Sequence, residues 1–510
     1  MRIHSLKIKN FRGYTDETIV LFENLTAFVG KNDIGKSSIL EALDVFFNDG
    51  KGVVKKIEKD DLNVMARENE DNEICISVCF EELPESIVID ATNETTLQDE
   101  YLLNEDGQLE VVKVYVNSGT TKVFIRAFHP TNPECCDLLQ KRDRELRDQI
   151  DANHIICNDR TRNAIMRSSI WNHYADNLQL ASVDIDVTKG DTKTIWDKLQ
   201  GYLPLFSLFQ SDRKNSDGDS EVQDPLREAV KEILHDAQLQ QTLTDVANVV
   251  ETKLQEVATR TLEKLREMSP EIANTLNPVI PSASNLKWAE VFRNVSIASD
   301  DNIPINKRGS GSKRLILLNF FRAEVERRQT ERNAPSVIYA IEEPETSQHS
   351  DNQKKLVKAL SALSEAINTQ VIITTHSPII VKQLGFSNIR LIRMYATKRV
   401  IENILPNQLP YPSLNEINYL AFSEISEEYH NELYGFIEEQ ELLPSYKQGK
   451  STVTYNKIRR NGSIDHEQIT MTEYIRHQIH HPENKLNPHF TDADLAESIE
   501  NMRRFIQAQP

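Results

Sequence analysis

Gly30-Lys-Asn-Asp-Ile-Gly35-Lys36-Ser37 carries the spacing G-x-x-x-x-G-K-[ST]. A glycine-rich turn leading from a strand into a helix points successive backbone N–H groups into one concavity, where the helix dipole favours an anion. Gly30, Asn32, Gly35, Ser37 and Ser38 are the candidates for that cradle. Lys36 would pair the β and γ phosphates of a nucleoside triphosphate, and Ser37 would hold Mg²⁺. Far along the chain, Glu342-Glu343-Pro344-Glu345 supplies two adjacent carboxylates. Glu342 suits a Mg²⁺ shell, and Glu343 suits polarising an attacking water. His376, within Thr374-Thr375-His376-Ser377-Pro378, could hydrogen-bond a γ-phosphate or that water. A second glycine-rich anion site, Gly309-Ser310-Gly311-Ser312, precedes the apolar run Leu315–Phe321. One chain has little use for two such sites on one nucleotide, whereas two chains facing head to tail would use both. An acidic pair or a strand-end histidine alone is more often a cap or an ordinary loop residue. The ordered set points to triphosphate chemistry.

These groups act together only if the fold brings them to one edge. The apolar run Leu25–Val29 precedes the phosphate loop, and a helix-like stretch, Ser38–Phe47, follows it. Val337–Ile341 and Thr369–Thr375 read as buried parallel strands whose ends carry the acids and the histidine. Ile74–Phe80, Leu109–Val116 and Lys122–Phe128 alternate apolar and polar, and Asn117-Ser118-Gly119 is a hairpin signal, which predicts a flanking antiparallel sheet. Beyond residue 130, Pro225 opens a helical stretch in which Leu243, Val246, Val250, Leu254 and Val257 recur at helical spacing. The expected class is α/β: a mixed β-sheet with a flanking antiparallel sheet and helices, assembled from residues 1–130 and 286–400. A helical insertion is expected over 131–285 and a helical C-terminal region over 401–510.

The net charge of −19, from 59 Lys and Arg against 78 Asp and Glu, argues against nonspecific coating of nucleic acid. Nucleic acid is expected to be met through a complex. No run of about 18 apolar residues suggests a membrane span, and Arg2, His4, Lys7, Lys9 and Arg12 interrupt the start as no signal peptide would. No membrane partner is expected. Cys75, Cys79, Cys135, Cys136 and Cys157 are odd in number and lack metal-ligand spacing, which suits a reduced cytoplasm.

With its motifs in this order, the chain resembles the ABC-type ATPase heads of the SMC, RecF and OLD (overcoming-lysogenisation-defect) group. Leu6-Lys-Ile-Lys-Asn-Phe11-Arg12-Gly13 is similar to that group's N-terminal pattern, and Gly309–Arg314 to its signature loop. Ile341–Glu345 is similar to its magnesium and catalytic acids, and Thr374–Pro378 to its switch histidine. The resemblance spans residues 1–65 and 285–395. It implies an ABC/SMC-like head that binds ATP and Mg²⁺ and hydrolyses ATP between two copies. The loop Gly30–Ser37 of one copy would then face Gly309, Ser310 and Gly311 of the other. Two departures stand out. Glu342 sits where many such heads carry Asp, a form common in the OLD-like branch. No glutamine-bearing loop follows the first helix, which leaves Asp60 or Asp61 as a metal-shell group or a simple helix cap.

The region after residue 400 lacks the strand-end Glu and Asp-x-Asp of a Toprim nuclease; Asp492-Ala-Asp494 opens a helix-like run instead. Tyr474–Asn484 is His-rich, and this tail looks most like that of the PtuA family of ATPases from Septu anti-phage systems. That resemblance implies a separate HNH-type nuclease subunit, PtuB-like, as partner. Arg476 and His481 also fit the Arg-x4-6-His spacing of HEPN ribonucleases, which leaves an RNase within the chain as the alternative and a surface helix as the bland reading. A RecF-like DNA-repair ATPase is a further alternative. A zinc site from His477, His480, His481 and His489 has no sulfur or carboxylate ligand fixed beside it.

Overall fold

Why the phosphate loop lies where it does follows from a strand with no polar face. β3 (Leu25–Val29) is buried along its whole length, and so is β12 (Thr369–Thr375). β11 (Val337–Glu342) is buried up to its terminal glutamate. Strands buried on both faces belong in a parallel sheet covered on both sides. With β10 (Leu205–Phe209), β13 (Ile389–Tyr395) and β14 (Lys398–Asn403), they form a six-stranded sheet in the order β10-β11-β12-β3-β13-β14. Its pairs are parallel except β13 with β14. This computed structural model describes residues 1–48, 57–89, 94–116, 121–188, 192–210, 232–236, 238–249, 251–252, 255, 336–346, 348–395, 398–403, 409, 413–459 and 462–509.

Period-two alternation sends successive side chains of each strand into different cores. Phe28, Ala340 and Ile372 join Ile39, Leu40 and Leu43 of helix α1 (Lys36–Asn48) on one face. Ala27, Val29, Ile341, Val371 and Ile373 join Leu356, Leu360 and Leu363 of the helix Ser350–Ser364 on the other. Each of the valine, leucine, isoleucine and phenylalanine side chains among them contributes about 1.5–3 kcal/mol through burial.

A second six-stranded sheet is wholly antiparallel, in the order β2-β1-β4-β7-β8-β9. Its strands are β1 (Arg2–Lys9), β2 (Thr18–Leu21), β4 (Glu73–Glu81), β7 (Leu109–Val116), β8 (Thr121–Pro130) and β9 (Leu180–Asp186). A small hairpin, β5 (Ile87–Val88) with β6 (Glu94–Thr95), lies between β4 and β7 in sequence. Gln370 clasps the two large sheets: its Nε2 donates to the Ile3 carbonyl at 2.8 Å, and its Oε1 accepts from the Ile3 N–H at 3.0 Å. Lys113 of β7 donates to the Phe46 carbonyl at 2.8 Å, which serves the open C-terminal end of α1.

Residues 131–285 are therefore not a purely helical arm. β9 extends the antiparallel sheet and β10 extends the parallel one, while the helices Asp143–Ala152, Asn163–His173 and Thr192–Leu199 lie around them. Residues 238–249 are helical and carry Leu243 and Val246; Val250, Leu254, Val257, Pro225 and the turn at Asn117–Gly119 lie outside the described residues. The region after residue 400 is mainly helical but not entirely so. The helices Glu427–Glu439, Leu443–Lys447, Met471–His480 and Asp492–Gln507 share a core built on Tyr429, Leu433, Ile437, Ile475, Ile499 and Met502. A polar two-stranded hairpin, β15 (Thr452–Ile458) with β16 (Ile464–Thr470), is inserted among them.

Candidate functional site

Register places three strand ends side by side. Glu342 pairs with Thr374, and Thr375 pairs with Val29, so the phosphate loop, the acidic run and His376 leave the sheet at one edge. In open α/β sheets, that C-terminal edge is where ligands bind. Gly35 takes φ +103°, which an L side chain rarely adopts, and so lets the loop turn into α1. Tyr14, whose hydroxyl is kept protonated by burial, donates to the Gly35 carbonyl at 3.1 Å.

The Ser37 hydroxyl donates to Glu342 Oε1, which joins the two groups singled out as Mg²⁺ ligands. Lys36 folds back onto its own loop and donates to the Gly30 and Lys31 carbonyls, both at 2.9 Å. Desolvation pulls its ammonium below the ordinary lysine range, against the opposing pull of Glu343, Glu345, Asp33 and Glu342. Glu343 stands at φ +39°, an uncommon conformation for a non-glycine residue. Its N–H holds that turn by donating to the Thr374 carbonyl and Thr374 Oγ1, both at 3.1 Å.

His376 Nδ1 lies 3.2 Å from Glu343 Oε1 and 3.5 Å from Glu345 Oε1. The third acid of the run, Glu345, has no separate role readable from its spacing. It is buried, and its Oε1 accepts from Thr375 Oγ1 at 2.7 Å and from the His376 N–H at 2.8 Å. Burial raises its carboxyl above the ordinary range, with those hydrogen bonds pulling the other way. Glu345 thus fixes the backbone that carries His376. The only signal for it in the sequence is its place in the Glu-Glu-Pro-Glu run.

The family model for the AAA ATPase domain matches residues 1–381, which include the phosphate loop, the acidic run and His376. The chain belongs to the AAA ATPase domain family. The match ends before β13, so the β13–β14 hairpin and the C-terminal helices lie beyond it. Among solved structures, the chain is similar to an Smc head bound to the C-terminal winged-helix domain of ScpA, with 15% identity and a TM-score of 0.38, covering 79% of this chain and 98% of that one. It is also similar to the SMC head domain from Thermotoga maritima, with 14% identity and a TM-score of 0.32, covering 80% and 100%. A Pyrococcus furiosus Smc head with an extended coiled coil, bound to the C-terminal domain of ScpA, gives 14%, 0.40, 79% and 96%. No curated protein matches the chain.

The residues of this AAA ATPase domain suit MgATP on chemical grounds. Ser37 and Glu342 offer hard oxygen ligands in contact with each other, and Mg²⁺ needs few protein ligands because it keeps several waters. Asp61 is engaged elsewhere: its carboxylate accepts from Arg12 Nε and the Glu58 N–H, both at 2.9 Å. Asp60 is exposed, 3.8 Å from Arg67. Arg12 also pairs with Glu41 of α1. Gly309, Ser310 and Gly311 lie outside the described residues.

The C-terminal pair does not converge. Arg476 donates to Asn431 at 3.3 Å and Glu438 at 3.4 Å, and its guanidinium lies 4.4 Å from the Tyr434 ring centroid. His481 meets Glu483 at 3.2 Å and stacks on His477, which stacks on Tyr455. Five residues along a helix and its cap turn the two side chains towards different neighbours. Among the described residues, no group of three His, Cys, Asp or Glu could hold a metal ion, and no helix is long and apolar enough to cross a membrane.

Proposed function

We propose that this chain binds MgATP in the loop Gly30–Ser37 and hydrolyses it as one of two facing heads. The observation that carries this reading is the convergence of Lys36, Ser37, Glu342, Glu343 and His376 at one sheet edge. Ser37 and Glu342 would hold Mg²⁺, which supplies charge neutralisation for the phosphates. Glu343 would orient a water and accept its proton, and His376, 3.2 Å away, would steady that carboxylate and face the γ-phosphate. Gly309, Ser310 and Gly311 of a second copy would close the site. Light scattering tests the pairing. Glu343→Gln with MgATP should double in mass, and Lys36→Ala should stay at its starting mass; an unchanged mass for Glu343→Gln would remove the paired-head reading.

We further propose that the paired heads gate a separate HNH-type nuclease in anti-phage defence. Support comes from the resemblance of the tail to PtuA ATPases and from the C-terminal helices, where Arg476 is engaged by Glu438 and Tyr434 and so is unsuited to RNA cleavage in this state. Plasmid and tRNA cleavage by the chain alone, with and without ATP, tests this. No cleavage is expected, and RNA cleavage lost in Arg476→Ala/His481→Ala would transfer the nuclease to this chain.

A further inference from the structure

Three cations near the loop already have partners. Arg12 pairs with Asp61 and Glu41, Lys398 pairs with Asp16 at 2.5 Å, and Lys36 rests on two loop carbonyls. Arg399 of β14 does not. Its Nε is buried and makes no hydrogen bond among the described residues. A buried guanidinium N–H without an acceptor carries the full cost of its lost hydration.

The position of Arg399 is specific. A Cβ placed on Gly35 would come within 3.1 Å of both Arg399 Cδ and Arg399 Nε, and a Cβ on Gly13 would overlap its guanidinium. Two glycines therefore leave a slot between the turn at Gly13 and the phosphate loop, and Arg399 fills it. Gly35 immediately precedes Lys36 and the N-terminus of α1, where loop N–H groups gather on an anion. Arg399 also lines a cavity of about 290 Å³ with Gly13, Thr15, Asp16 and Lys398, so its head group has room to turn off the loop.

From this we infer that Arg399 is a phosphate-binding residue, delivered to the loop by the β13–β14 hairpin and held there in readiness for the triphosphate. A guanidinium presents its donors as a planar fork that matches phosphate oxygens, which Lys36 as a point charge does not. Nucleotide would supply the acceptor that Arg399 Nε lacks and tie β14 and the turn at Gly13 to the loop. This rests on the nucleotide reading of the loop. It adds a ligand from outside the stretch that the family model matches.

Calorimetric titration of the full chain with MgATP and with inorganic tripolyphosphate tests the assignment, using wild type, Arg399→Ala, Arg399→Lys and Lys36→Ala. Arg399→Ala should weaken both ligands by about tenfold or more, and Arg399→Lys should recover only part, because it keeps the charge but loses the fork. The thermal midpoint of each unliganded variant is measured alongside to separate folding from binding. Wild-type affinity in Arg399→Ala with a lowered midpoint would make Arg399 a structural staple and overturn the proposal. Weakening for ATP but not tripolyphosphate would put the arginine on the nucleoside and also overturn it. If Lys36→Ala titrates like wild type, or wild type does not titrate at all, it is the nucleotide reading beneath the proposal that fails.

Discussion

Glu345 touches no expected ligand, yet it holds the strand end that carries His376. Its Oε1 takes the Thr375 hydroxyl and the His376 N–H, and its other oxygen is buried without a hydrogen bond. Glu345→Ala should destabilise the unliganded protein by about 1–3 kcal/mol in chemical denaturation, because two buried donors lose their acceptor. Glu345→Gln keeps the acceptor and removes the charge. Because folding raises the Glu345 pKa, its stabilising contribution is present below the ordinary carboxylate range and is lost as pH rises through the raised value. The stability of Glu345→Gln relative to wild type should therefore grow with rising pH, as thermal midpoints across the acid-to-neutral range would show. Lys36 has the opposite sign. Its lowered pKa means that burying its charge costs stability at neutral pH, so Lys36→Met should be at least as stable as wild type without nucleotide while losing the MgATP-induced rise in midpoint.

Among the elements, one side chain, Gln370, clasps the two large sheets. Gln370→Ala would leave the Ile3 N–H and carbonyl, both in a buried strand, without their partner, and should lower stability by about 2–3 kcal/mol on denaturant titration. β3, β11 and β12 were legible because strands buried on both faces read as short runs rich in apolar and β-branched residues, and β4, β7 and β8 because their alternation is strong. β10 was not, since Leu-Phe-Ser-Leu-Phe is short and follows Pro204, and only its pairing with β11 makes it a strand. β9, β15 and β16 alternate among polar residues, so their strand character comes from their neighbours. The candidate site was legible to the extent that Lys36, Ser37, Glu342, Glu343 and His376, which meet at one sheet edge, sit in motifs with fixed spacing. Glu345 and Arg399 do not, because what distinguishes them is a contact across the fold.

At the scale of the molecule, the C-terminal helices form a core of their own; Arg503 reaches from it to the helix Leu414–Phe422, which packs Ile417 and Ala421 against the parallel sheet, and lies 4.7 Å from the Tyr419 ring centroid and 3.8 Å from Glu416. Within that core His430 is fully buried, with Ser498 at 3.0 Å and a chain of hydroxyls running on to Thr472 and Tyr446. Burial, aided by Arg476, pulls its pKa down to about 3. A lowered histidine pKa stabilises the fold above its unfolded value of about 6.5, and that contribution is lost as pH falls towards the folded one. Thermal midpoints should therefore fall from neutral pH to pH 5 in wild type and fall less in His430→Gln. Turnover depends on the Glu343 carboxylate, and steady-state phosphate release measures it in wild type beside Glu343→Gln, with MgATP binding confirmed for both. Wild type should hydrolyse ATP, and Glu343→Gln should bind it while losing turnover by about a hundredfold or more. Wild-type turnover in Glu343→Gln would show that this carboxylate does not activate the water.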